Sequence, residues 1–204
     1  MVGGWLAERL ILYIPLVLSL TVHEWAHARA AYALGDRTAA HLGRMSLDPL
    51  VHIDPIGTLI LPLLGLPIGW ARPVPVNPFQ FAARWDGRVG MMLVAAAGPA
   101  SNLTIAGLLW AASAAVSALG LLNPTNPAAS LVEQAMTMNL ALAAFNLLPV
   151  PPLDGSRVVE GLIPERFRPL WDQLGALGPA LLIALGFAGL TATVWLSVFF
   201  PGGR

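Results

Sequence analysis

Cysteine is absent from the chain, and so is lysine: all 11 basic residues are arginine. The first absence excludes disulfides and thiolate metal sites, so any bound metal must rest on histidine, carboxylate or neutral oxygen donors. Charge is scarce as well. Asp, Glu, Lys and Arg together make up 11% of the 204 residues, where soluble domains carry about 25%. The formal net charge is zero and the arginines are scattered, which excludes the basic footprint of a nucleic-acid binder. Internal repeats and low-complexity tracts are missing too. What fills the chain is hydrocarbon. Apolar residues account for 56% of it and the mean hydropathy is +0.70, the composition of an integral membrane protein.

About 20 apolar residues of helix cross a bilayer core, and four segments qualify: about 5–34, 89–119, 128–148 and 178–200. The first opens with Glu8 and Arg9 rather than a basic leader and is expected to be retained as a span. Gly35-Asp36 supplies its stop signal. Between the first two spans, residues 36–88 are apolar but broken by Pro55, Pro62, Pro67, Pro73, Pro75 and Pro78. A straight spanning helix does not tolerate so many prolines. The segment therefore reads as a re-entrant, partly β or irregular membrane-associated loop, with a fifth span around Ile56 to Trp70 as the alternative. The fold class expected is thus all-α and polytopic, a single membrane domain over 1–204. Arginines crowd the 36–88 region and the connection from about 149 to 177, and none stands in 120–129. Positive loops stay cytosolic, which places the N-terminus outside, and His23, Glu24 and His27 in the cytosolic half of the first span.

Those three residues form His-Glu-x-x-His. On a helix the two imidazoles fall at i and i+4 on one face, where both reach a single ion. Neutral imidazole suits Zn²⁺, and the intervening carboxylate is placed to take a proton from water. Simple helix–helix hydrogen bonding is the bland alternative, but two imidazoles and a carboxylate inside a membrane span are too costly for packing alone. A catalytic zinc takes three protein ligands. Without cysteine the third is a histidine or a carboxylate. His41 and His52 sit in the arginine-bearing loop and suit loop hydrogen bonds better. Asp154, in FNLLPVPPLDGSR after the third span, is stiffened by Pro149, Pro151 and Pro152 and followed by Gly155. It reads as a carboxylate held at a membrane-embedded turn on the same cytosolic side. Asn146, at the end of that span, suits either an oxyanion donor or a tie between helices. His52 and Asp54 suit ligand orientation or, better, loop structuring.

HEWAH (23–27) within a span, followed by NLLPVPPLDG (146–155) at the end of a later one, resembles the site-2 protease family of intramembrane zinc metalloproteases. The resemblance extends over HLGRMSLDPLVHIDPIGTLILP (41–62), GWARPVPVNP (69–78) and AGPASN (97–102), about three quarters of the chain. It implies one zinc per chain held by His23, His27 and Asp154, with Glu24 as general base and Asn146 near substrate or oxyanion. It further implies a minimal member without PDZ or CBS domains, lying in a bacterial cytoplasmic membrane. The partners implied are the lipid bilayer and a transmembrane helix of another protein as substrate; no nucleic acid is expected, and no oligomeric state is specified. The proline-broken segment 53–78 is read either as an edge for the unwound substrate or as a plug of the membrane face. Two other functions compete: a metal transporter or store, and an inactive helix-binding scaffold. The first expects ionisable groups through several spans and gives Glu24 no task; against the second, all the matched motif positions are present.

Overall fold

The computed structural model describes residues 2–60, 70–121 and 127–187, with side chains from residue 13 onward save 183 and 185–187. The leading helix, α1, runs Val2–Leu34 with Pro15 inside it. It stops at Gly35, whose φ of +115° is open to glycine and where a Cβ would stand 2.9 Å from Ala82 N. Asp36, buried just beyond, accepts from Thr38 N at 2.8 Å and Asn77 N at 2.7 Å. It thereby pins both the one-turn α2 (Thr38–His41) and the far end of the following loop to the end of α1.

That loop was expected to be partly β, and no strand occurs among the described residues. It consists of single 3-10 turns at Pro49–Val51 and Pro78–Gln80, a π-helical turn at Pro55–Ile60, and irregular extended backbone from 70 to 77. Prolines explain the missing ladder, because Pro73 and Pro75 have no N–H to donate. Several of the remaining amides find loop and side-chain partners: Trp70 N donates to Gly57 O, Arg72 N to His52 O and Val74 N to Glu24 Oε2. Residues 61–69 of the alternative fifth span lie outside the described residues.

Helix α3 (Gly87–Ala118) opens on Asp86, which accepts from Arg88 N and Val89 N as an N-cap should. Then follow α4 (Pro127–Asn146), α5 (Asp154–Leu162), α6 (Arg168–Ala176) and α7 (Gly178–Phe187). Beyond Phe187 the expected fourth span lies outside the described residues. The region 149–177, read from sequence as a connection, holds two helices. Asp154 starts the first of them rather than standing in a turn.

Central to the arrangement is α3, packed against α1, α4 and α5. Its inward face repeats every fourth residue: Gly90, Val94, Gly98, Asn102 and Ala106 are all buried. Of its larger side chains, Leu103, Leu108 and Trp110 are exposed. Small inside and large apolar outside inverts the soluble pattern. It suits lipid, where close backbone approach rather than hydrocarbon burial joins helices. Among the described residues α3 is also the helix long and apolar enough to cross a membrane. Two apolar clusters complete the packing. Leu16, Met138 and Leu142 join α1 to α4, and Ala31, Leu34, Phe81 and Val94 join α1, α3 and the loop.

Candidate metal centre

Helical spacing puts His23 and His27 on one face of α1, ring centroids 4.6 Å apart and planes at 85°. Their Nε2 atoms lie 3.0 Å from each other. Asp154 Oδ2 lies 3.1 Å from the first and 3.3 Å from the second. The three donor atoms fall within 4.8 Å of one another, both imidazoles are buried, and the carboxylate is half-buried.

Hydrogen bonds behind the rings decide which nitrogens face the cluster. His27 Nδ1–H donates to Val94 O at 2.7 Å. His23 Nδ1–H donates to Asn102 Oδ1 at 2.6 Å. The Asn102 amide is itself oriented, since its Nδ2 donates to Ser19 O at 3.3 Å and to Asn139 Oδ1 at 2.8 Å. Asn139 Nδ2 returns to Ser19 Oγ, also at 2.8 Å. A buried amide chain across α1, α3 and α4 thus fixes one imidazole, and a backbone carbonyl fixes the other. Both Nε2 lone pairs then face each other and a carboxylate oxygen. Three acceptors at such distances repel unless positive charge lies among them, either a proton on one nitrogen or a metal ion. Two Nε2 atoms and one carboxylate, each ring anchored through its other nitrogen, form a donor set suited to Zn²⁺.

Space for the rings depends on Gly98. A Cβ there would stand 2.6 Å from His23 Nε2 and nearer still to His27 Nε2. Gly155 plays the matching part for Asp154. A Cβ on it would collide with the carbonyl oxygens of Leu147 and Leu148, so glycine lets the start of α5 lie directly on the end of α4.

The remaining residues singled out in the sequence stand apart from this cluster. Glu24, half-buried, accepts from Val74 N through Oε2 at 2.9 Å. Asn146 Nδ2 donates to Leu142 O one turn back on its own helix. His52 is buried and its Nε2–H donates to Ser46 O. Asp54 Oδ1 accepts from Ile56 N and Gly57 N at the head of the π-helical turn. Asn102 closes the AGPASN segment, whereas nothing in the motifs points to Asn139 or Ser19, although amides inside apolar spans are themselves a signal.

The profile of Peptidase family M50 matches residues 123–188, which include α4, the NLLPVPPLDG segment and α5. A relative from Bacillus subtilis (strain 168), YwhC, is 39% identical over 178 residues, 85% of this chain and 78% of that protein. The chain belongs to peptidase family M50. Rip2 of Mycobacterium tuberculosis (strain H37Rv) is 33% identical over 193 residues, 91% of this chain. Rip2 of Mycolicibacterium smegmatis is 30% identical over 175 residues. This M50 chain spans only 63% and 60% of those two longer proteins. All three relatives bear the name "Putative zinc metalloprotease". No solved structure matches the chain.

Proposed function

We propose that the chain hydrolyses peptide bonds in the transmembrane segments of other membrane proteins, at a centre in the cytosolic half of the bilayer. It is a zinc metalloprotease of the M50 type, and the observation that carries the site assignment is the convergence of His23 Nε2, His27 Nε2 and Asp154 Oδ2. Those three atoms would hold the ion. Zinc bound there supplies Lewis acidity toward a peptide carbonyl and toward water. Glu24, adjacent to His23 on α1, takes a proton from the attacking water at the carboxylate oxygen not bound by Val74 N, and returns it to the departing amine nitrogen. Asn146 is the proposed donor to substrate or oxyanion, after its amide swings from Leu142 O.

Substrate helices have their carbonyls tied in intrahelical bonds and must unwind locally before attack. The chain would cross a bacterial membrane four times with its arginine-bearing loops in the cytosol; the outward apolar face of α3 and the lengths of α1 and α4 support three of those spans. Cleavage of a synthetic transmembrane helix in detergent by the purified protein tests this. Glu24→Gln is expected to keep zinc and lose cleavage. A Glu24→Gln protein that still cuts contradicts the role given to Glu24, and a wild type that binds zinc without cutting favours metal handling instead.

A further inference from the structure

Arg44 lies in the loop after α2, away from the donor cluster, and only 8% of it is exposed. None of the described ion pairs includes it. Its Nη2 donates to Arg72 O at 2.5 Å and Pro73 O at 3.3 Å, and its buried Nε has no hydrogen-bond partner. A buried guanidinium with no carboxylate on it is expensive. Burial and the neighbouring Arg72 push it down from its ordinary pKa, and the Glu24 carboxylate pulls the other way.

The backbone between Arg44 and Glu24 is short and stiff. Arg44 holds the carbonyls of residues 72 and 73, and the next amide, Val74 N–H, donates to Glu24 Oε2. Val74 stands between two prolines, which restrict it and leave its amide as the sole donor from 73 to 75. On either side the segment is tied down, by Thr58 Oγ1 to Trp70 O and by Asn77 N to Asp36 Oδ2. At its centre Arg72 N–H donates to His52 O, and among the described residues Arg44 alone holds the carbonyls of 72 and 73.

We infer that Arg44 is a positioning residue for Glu24. It fixes the 72–73 carbonyls so that Val74 N–H holds one carboxylate oxygen and leaves the other directed at the water to be deprotonated. The inference rests on Glu24 being the general base.

Its test is the kinetics of the whole purified protein on a synthetic transmembrane helix, with zinc per chain and thermal midpoint read on the same samples. Arg44→Gln and Val74→Pro each act on the path, the second by removing the N–H that Glu24 accepts. Each is expected to lower kcat by about 10–100-fold with KM within about threefold, the scale of a misplaced catalytic group. Zinc content and midpoint should stay at wild-type values. Arg44→Lys, which can still donate to both carbonyls, should recover most of kcat. Because both changes break one path, the double variant should be no worse than the poorer single. Multiplying losses, zinc lost together with kcat, or a raised KM with kcat intact would each overturn the inference. If Glu24→Gln still cleaves, the underlying reading fails. If Glu24→Gln is inactive while Arg44→Gln and Val74→Pro work like wild type, only this inference fails.

Discussion

His23 and His27 stand one helical turn apart on α1, whereas Asp154 arrives from 131 residues beyond His23, at the start of a nine-residue helix. The first arm of the centre needs nothing more than an α-helix, since i and i+4 side chains share a face in any helix that forms. The second needs the tertiary fold. The end of α4 must meet the start of α5 closely enough that Leu147 and Leu148 carbonyls fill the space of a side chain at Gly155. Local geometry is hard to lose and tertiary geometry is easily lost. Metal binding should accordingly fail in two distinct ways, depending on which arm is disturbed.

Filling the space beneath the rings strikes the first arm and should have the largest effect. Gly98→Leu drives carbon into both imidazoles, which are pinned by Val94 O and Asn102 and cannot retreat. Zinc affinity should fall by more than about 100-fold, beyond the usual cost of losing an outer partner, with cleavage lost alongside. Gly155→Val strikes the second arm. The colliding atoms are backbone, so α5 must lift and carry Asp154 away, at about 1–3 kcal/mol in stability. The two histidines should then still bind zinc, more weakly, and titration with a chelator of known affinity separates the two outcomes. Equal residual affinity in both variants would erase the distinction between the arms.

Smaller effects sharpen the comparison. Asn102→Leu leaves His23 Nδ1 without its acceptor and Asn139 without its donor, all in a buried setting. An unsatisfied buried group costs about 1–3 kcal/mol, and the loss of ring orientation should weaken zinc binding by about 10–100-fold. Arg88 supports the other arm. From the head of α3 it donates to Glu160 O and Ile163 O at the tail of α5, and to Glu165. Arg88→Met should loosen α5 at the end far from Asp154 and reduce zinc affinity only about threefold, on the scale of a partly exposed charged pair. Glu165→Gln should do less, because Glu165 is 72% exposed on its side chain.

The same contrast explains what the sequence made legible. His-Glu-x-x-His and three helical segments were readable because their information is local: expected spans of 5–34, 89–119 and 128–148 met helices Val2–Leu34, Gly87–Ala118 and Pro127–Asn146. Asp154 was readable as a residue but not as the first residue of a helix. Gly155 beside it looks like turn chemistry, and only the carbonyls of Leu147 and Leu148 reveal that it serves close approach. Asn102 and Asn139 could be seen as amides in apolar helices, but their partners lie on two other helices each or in each other. The loop misled in its own way. Alternating prolines and valines at 73–76 look strand-like, yet proline withholds the donors a ladder requires, and Glu24 takes the amide of Val74.

The joining of the two arms into one centre is tested most directly by zinc per chain in detergent-purified wild type and Asp154→Ala, each dialysed against a weak chelator. A three-donor centre predicts about one zinc in the wild type and much less than one in Asp154→Ala, since catalytic zinc sites take three protein ligands. Full zinc retention in Asp154→Ala would contradict it, and would mean that His23 and His27 are completed by some residue other than the one that folding brings beside them.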